Sequence, residues 1–495
     1  MRSNIRTGLF FISFGFLMYL VAQFSPAVQA DSNSARLENG TNLSLERRSI
    51  DKIVSFEEGV YIFSTLGELW VLEHTRDQPV FLQKVCSPPQ SPIMWQETFY
   101  FLCDLSLWQS DGTPHGTYKV LDLPHPEQET YPQKPLLPIG FSTHLIATTD
   151  TLFILLQDQS GMFLWKMDGA TDGITLVKQA KRNQSLLDTF EIFFGYSAVQ
   201  HAVINNIIYF TAYDEAHGFE LWKSDGTEAG TTVVKDIILG NASSYPNDLK
   251  VLNAQLYFGA TDSEHGSELW RSDGTSEGTQ LVKDINPGEE DSYLRPIWGG
   301  VPCLLNLHVV AGKLFFTAGD SLHGRALWQS DGTEDGTELV ADMDPERNNW
   351  CDDSFSGFTQ MNDKLIFSYA GGIFTATDSG VESVPALSQE RFAAIGTLTP
   401  VGDQVFFIGD DNEHGKELWI SDLTEEGTKL LKDITPGEDE SQFSLLTASD
   451  SFLYFTTGSL HSILWRSDGI SEGTVRIFTV SNGTHYYMPI IMNMP

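Results

Sequence analysis

Four short segments pair an aspartate with a histidine at one spacing: Asp214-x-x-His217-Gly218, Asp262-x-x-His265-Gly266, Asp320-x-x-His323-Gly324 and Asp411-x-x-His414-Gly415. His461 stands in a partial fifth copy. A carboxylate and an imidazole so placed can ligate a metal ion, or they can hydrogen-bond to each other and close their own turn. Metal ligands must converge on one point. Identical slots in successive repeats diverge, which favours the turn clamp. His217, His265, His323 and His414 stay candidate binding residues because their turns share a face with a second candidate.

That second candidate is a pair of tryptophans, Trp298 and Trp350, with Cys303 and Cys351 close by in sequence. Aromatic platforms suit a glycan or the exposed side chains of a protein partner. Carboxylates in nearby loops, at Glu289-Glu290-Asp291 and Glu438-Asp439-Glu440, suit Ca²⁺; no other cofactor is implied. The competing reading is a stapled loop with packed tryptophans. No zinc-protease helix motif, phosphate loop, Ca²⁺ loop or Gly-x-Ser-x-Gly elbow is visible. Carboxylate pairs abound, as 66 acidic residues guarantee, so a two-carboxylate glycosidase or lyase stays open.

The elements that must position these residues follow from a repeat. Glu220 to Thr231 and Glu268 to Thr279 share the form Glu-Leu-Trp-x-Ser-Asp-Gly-Thr-x-x-Gly-Thr. Weaker copies surround Trp108, Trp165, Trp328, Trp419 and Trp465; degenerate ones lie at Trp70 and at Phe374, which takes the Trp slot. A period of about 40–50 residues marks units that cannot bury their apolar faces alone. In the unit around Trp270, strand compositions at 248–252, 255–261, 267–272 and 279–285 alternate with turn compositions, including Asp273-Gly274. Each unit is a four-stranded antiparallel meander. The fold predicted is an all-β propeller of nine repeat units, with eight or nine blades and closure open to strands from both termini. A Trp fixed in one slot packs between blades. Asp225, Asp273 and Asp331 accept backbone N–H groups within the third turn. Strand alternation puts the second turn, where the Asp/His pairs lie, on the same face as the inter-unit connections.

The bulk composition narrows the partners. The chain has 30 Lys+Arg against 66 Asp+Glu, a formal charge of −36. Nucleic acid and anionic membrane surfaces would be repelled. Arg2 and Arg6 precede an apolar run from Gly8 to Ala22, and Val28-Gln29-Ala30 follows. This is the order of a secretory signal peptide, with cleavage after Ala30 and no membrane span afterwards. The expected domains are a signal peptide over 1–30, a tail over 31–50, the propeller over 51–482 and a tail over 483–495. The location expected is secreted, periplasmic or cell-surface. Four cysteines in an exported chain suggest disulfides. Pairing Cys86 with Cys103 and Cys303 with Cys351 keeps each bridge near one unit, and each closure would stabilise by roughly 3–4 kcal/mol.

These residues resemble the bacterial repeat family named for its Glu-Leu-Trp-x-x-Asp-Gly-Thr signature, from about Ile53 to Val480 and most closely at Trp222, Trp270, Trp328 and Trp419. The resemblance implies secretion and a propeller-like array, without a settled activity. Ala212-x-Asp214-x-x-His217-Gly218-x-x-x-Trp222 also has the spacing of the tryptophan-docking motif in pyrroloquinoline-quinone dehydrogenases, where Thr takes the His slot. That likeness supports the ring, but the adjacent-Cys disulfide typical of those enzymes has no counterpart here. The function expected is an exported non-catalytic binding or scaffold propeller with a glycan or protein ligand. The alternative is a propeller enzyme, either a carbohydrate-active hydrolase or lyase or a quinoprotein-like oxidoreductase. One bridge is directly testable: peptide mapping without reductant should recover Cys303 linked to Cys351, and recovery of either as a free alkylated thiol would refute that pairing.

Overall fold

A computed structural model describes residues 49–86, 88–124, 142–158, 161–169, 173–181, 200–288, 292, 305–344, 355–436, 442–458 and 462–480. They belong to one compact unit, Arg47–Pro495. The unit is an all-β propeller of nine antiparallel sheets, numbered here as blades 1 to 9 in chain order. Each blade is built from one continuous segment. They begin at Ile50, Gln90, Ser142, His201, Asn247, His308, Phe355, Ala394 and Ser444, and end at Lys84, Asp122, Lys181, Lys235, Lys283, Ala341, Ser383, Lys432 and Thr479. The blade number is thus nine, and no sheet among the described residues mixes strands from the two ends of the chain. The described residues contain one short helical turn, Pro385–Leu387. None of their helices is long and apolar enough to cross a membrane.

Blade 5 shows how residues become strands. Its strands are Asn247–Leu252, Gln255–Asp262, Gly266–Ser272 and Gln280–Lys283. The second strand is buried along almost its whole length, because both of its faces meet neighbouring blades. The fourth stops at Lys283, two residues earlier than its composition suggests, since Asp284 and Ile285 turn into the connection to blade 6. Blade 8 departs slightly: its first strand is split into Ala394–Ile395 and Thr399–Val401, both paired to Gln404–Asp410.

The Trp slot organises the packing between blades. Trp270 of blade 5 lies among Tyr209, Leu221 and Val234 of blade 4, and Trp222 of blade 4 among Phe153, Leu155 and Leu164 of blade 3. Trp328 and Trp419 make the same step onto blades 5 and 7. The ring closes in the same manner, with Trp70 of blade 1 beside Tyr454, Leu464 and Ile477 of blade 9. Closure therefore rests on face packing. Beside each slot tryptophan the fourth strand carries a bulge. Leu269 faces Lys283 while Trp270 faces Leu281, so Val282 is the extra residue and turns inward, 5% exposed. The same shift occurs at Trp70, Trp108, Trp165, Trp222, Trp328, Trp419 and Trp465. Blade 7, with Phe374 in the slot, pairs without it.

Polar staples join the same neighbours. Lys235 Nζ of blade 4 donates to the Thr279 carbonyl of blade 5 at 2.8 Å and lies 5.8 Å from the Trp270 ring. Lys283 reaches the Thr337 carbonyl at 2.7 Å, and Lys432 the Thr474 carbonyl at 2.9 Å. Lys223 and Arg271 reach the carbonyls of Gly274 and Gly332 in the next third turns. Those turns are closed as expected: Asp273 Oδ1 accepts from the Thr275 N–H and hydroxyl, and Asp225 and Asp331 repeat it. A disulfide links Cys86 to Cys103 with Cα atoms 5.5 Å apart, as the sequence spacing suggests. Cys303 and Cys351 lie outside the described residues.

Gly274 is required twice over. Its φ is +87°, and a Cβ there would overlap the Tyr209 hydroxyl of the previous blade. Gly240 has φ +93° with nothing near its would-be Cβ. Gly240→Ala should therefore cost about 1 kcal/mol, for backbone strain alone, and Gly274→Ala clearly more, about 2–3 kcal/mol. Urea melts of the two variants test this, and equal costs would show that the inter-blade contact contributes nothing.

Candidate functional site

The four Asp/His pairs close their own turns. Asp262 Oδ1 accepts the backbone N–H groups of Glu264 (2.9 Å) and His265 (2.6 Å), while its Oδ2 meets His265 Nδ1 at 2.8 Å. The same 2.8 Å contact joins His217 to Asp214, His323 to Asp320 and His414 to Asp411. An ionised carboxylate only accepts, so Nδ1 donates to it and Nε2 is the ring nitrogen left for another partner. The hydrogen bond to Asp262 raises the pKa of His265, and Asp411 does the same for His414. The glycine that follows each histidine has its own reason. At Gly218 φ is +71°, and a Cβ would stand 2.5 Å from the Ala242 carbonyl in the connection to blade 5. The second turn and the inter-blade connection therefore meet on one face, as strand alternation requires.

The ligand atoms of Asp411, Glu413 and His414 lie within 4.8 Å of one another, the set of three among the described residues that could hold a metal. Its histidine offers only Nε2, because Nδ1 is engaged by Asp411. The four turns belong to four different blades, 4, 5, 6 and 8, and nothing brings their imidazoles to one point.

Behind three of these turns lies a carboxylate that sequence reasoning took as part of the Trp motif only. Glu220, Glu268 and Glu417 have no exposed surface. Each accepts backbone N–H groups from the connection leaving its blade. Ser244 donates its N–H (3.2 Å) and its hydroxyl to Glu220; Asn286 donates its N–H to Glu268 (3.2 Å); Ile434 and Thr435 donate theirs to Glu417 (2.8 and 3.1 Å). Burial pushes Glu220 up to about 7 and Glu268 up to about 8, against the pull of those hydrogen bonds. The signal was available, since Glu two residues before the slot Trp faces the same side of the strand as the Trp.

Blade 7 breaks the pattern and opens a cleft. Its fourth strand, Gly380–Ser383, carries no lysine. The chain then wraps back through Pro385–Leu387, and Arg391 replaces the missing staple. Arg391 Nη2 donates to the Thr428 carbonyl of blade 8 at 2.7 Å, and the guanidinium stacks 5.7 Å from Trp419 and 5.5 Å from Phe392. Gln389 ties this segment to the Ala370 carbonyl at 3.1 Å. Between these parts lies a cleft of about 790 Å³, lined by Tyr369, Phe374, Gln389, Glu390, Arg391 and Glu425 among others. Aromatic rings, an amide and charges of both signs suit a polar ligand with some apolar surface. Sequence reasoning did not single out this segment; its only trace was the Phe at the Trp slot. Trp298 and Trp350 lie outside the described residues, as do Glu289–Asp291, Glu438–Glu440 and His461. The third off-slot tryptophan, Trp95, is buried, and its indole N–H donates to the Thr148 carbonyl of blade 3 at 3.0 Å.

No family model and no curated protein matches the chain. Among solved structures it is similar to the computationally designed Ika8 protein (TM-score 0.41, 11% identity, 74% of this chain and 94% of that one). It is also similar to a prolyl endopeptidase (0.38, 10%, 77% and 54%) and to BamB from Moraxella catarrhalis (0.33, 11%, 73% and 83%). At these scores no activity passes from them to this chain.

Glu220 gives a pH test with a definite sign. Its folded pKa lies above the ordinary 4.5, so between about pH 4.5 and 7 the folded chain keeps a proton that the unfolded chain releases. Its contribution to stability falls as pH rises through that window and levels off above 7. Glu220→Gln, neutral throughout, should gain stability relative to the parent from pH 5 to 7, by up to about 3 kcal/mol. Urea melts at pH 5, 6, 7 and 8 read this difference; a constant difference would contradict it.

Proposed function

We propose that this chain is an exported binding or scaffold propeller of the Glu-Leu-Trp-x-x-Asp-Gly-Thr repeat family, with a glycan or protein ligand. One observation carries the reading. The titratable side chains that recur on the connection face are engaged within their own blades, each histidine by its aspartate and each buried glutamate by backbone N–H groups. Catalysis needs such groups to converge beside one pocket; here they recur around the ring and shape a face. The Cys86–Cys103 bridge fits an oxidising compartment, in keeping with export. The cleft between blades 7 and 8 offers the ligand its contact, and Trp298 and Trp350 supply further aromatic anchors.

Surface plasmon resonance against arrayed glycans and candidate extracellular proteins tests this. Gln389→Ala and Glu390→Ala, both at exposed positions of the cleft, should each weaken the bound state by roughly 1–3 kcal/mol. Trp298→Ala and Trp350→Ala should do the same, with Tm nearly unchanged in all four. A Tm collapse in either Trp variant would make that residue core rather than anchor. Turnover of a glycan or an alcohol, abolished by a single carboxylate substitution, would replace this reading with the enzyme alternative.

A further inference from the structure

The third strand of blade 5 and the connection leaving that blade each hold a carboxylate oxygen with no partner among the described residues. Glu268 is fully buried and its Oε2 has no hydrogen-bond partner. Asp284 Oδ1 is likewise buried without a partner. The two groups are neighbours: Leu269 pairs with Lys283, so Glu268 and Asp284 face each other one step past that pair. The Asp slot is orphaned in the same way in two other blades, at Asp236 Oδ1 and Asp433 Oδ1. A lone unsatisfied oxygen is an accident; the same atom left open three times is a built feature.

Blade 4 shows how the fold answers this problem when it uses its own atoms. There Ser244 donates its hydroxyl to Glu220 Oε2. Ser292 holds the equivalent place in blade 5, 24 residues after the glutamate in both cases. Its hydroxyl lies beside Glu268 but donates instead to the Ser267 carbonyl at 2.9 Å. The Glu268 oxygen whose counterpart is capped in blade 4 is therefore left open. Two adjacent buried carboxylates can share a proton, as the raised pKa of Glu268 favours, whereas a cation would neutralise both charges at once. All the open atoms are hard oxygens, and Asp284 as a residue is only half-buried. That set suits Ca²⁺, which accepts six to eight oxygens in irregular geometry, better than Mg²⁺ or a metal that seeks nitrogen or sulfur.

We propose that blade 5 binds one Ca²⁺ ion between Glu268 Oε2 and Asp284 Oδ1, pinning the connection to blade 6 against the strand that carries Trp270. The site differs from the Asp411, Glu413 and His414 set and stands whether or not the cleft binds a ligand.

The test uses the full exported chain, stripped with a chelator and dialysed. Thermal melts are recorded with and without CaCl₂, with MgCl₂ as comparison, for the parent and for Glu268→Gln, Asp284→Asn and Glu220→Gln. At a hundredfold excess over Kd, Ca²⁺ should raise the parent Tm by about 3 °C. Glu268→Gln and Asp284→Asn should lose that rise, and Glu220→Gln should keep it. No rise in the parent, or an equal rise in every variant, overturns the site and leaves the two carboxylates sharing a proton or Ser292 turning to cap Glu268. If Glu268→Gln fails to fold, Asp284→Asn decides alone, because that residue sits in the connection outside the strands.

Discussion

Everything in this molecule depends on burying both faces of a small twisted sheet. A four-stranded blade has two apolar faces and cannot cover either by itself. The indole in the third strand settles the matter by lying on the preceding blade, as Trp270 lies on Tyr209 and Leu221. A cation from that blade then grips the carbonyl beside the indole, as Lys235 does at Thr279. Apolar area supplies the stability, and the staple adds a polar contact across the same interface. Because Trp70 makes the same contact with blade 9, the ring closes with no exchanged strand among the described residues.

The other motif residues follow from that demand. The bulge beside each indole turns one further apolar side chain, such as Val282 or Leu431, into the interface without breaking the sheet. Gly274 and Gly332 accept the tyrosines of the preceding blade where any side chain would collide. The aspartates of the second and third turns hold backbone N–H groups that tight turns leave unpaired. A large acidic charge is thus compatible with a compact ring: many of its carboxylates work locally as acceptors, and Asp225, Asp273 and Asp331 are held below their usual pKa by the Thr hydroxyl and N–H that each accepts.

Individual character enters where the repeat is broken. Blade 7 loses the Trp, the bulge and the lysine together, and a wrapped segment with Arg391 restores the contact with blade 8. The repair leaves a cleft that regular blades do not need. Blade 5 keeps the repeat but turns one serine hydroxyl away from its buried glutamate. Both differences are small in sequence, and both decide what the surface can do.

Residue order alone determined the strand pattern, the nine units, the interface role of the tryptophans and the closing of the Asp/His turns. These are local or periodic properties, written in alternation, turn chemistry and recurrence. The Cys86–Cys103 pairing was legible for the same reason, since both residues lie within one stretch of chain. Blade number and mode of closure needed the tertiary structure, because the angle between neighbouring blades comes from side-chain volumes summed around a ring. So did the reach of Lys235, Lys283 and Arg391 into the next blade and the cleft beside Phe374, where partners lie some 37 to 54 residues apart in sequence. The open oxygens of Glu268 and Asp284 were hidden for a further reason. Whether a buried carboxylate is satisfied depends on which way one serine hydroxyl points, and no pattern of residue types records that.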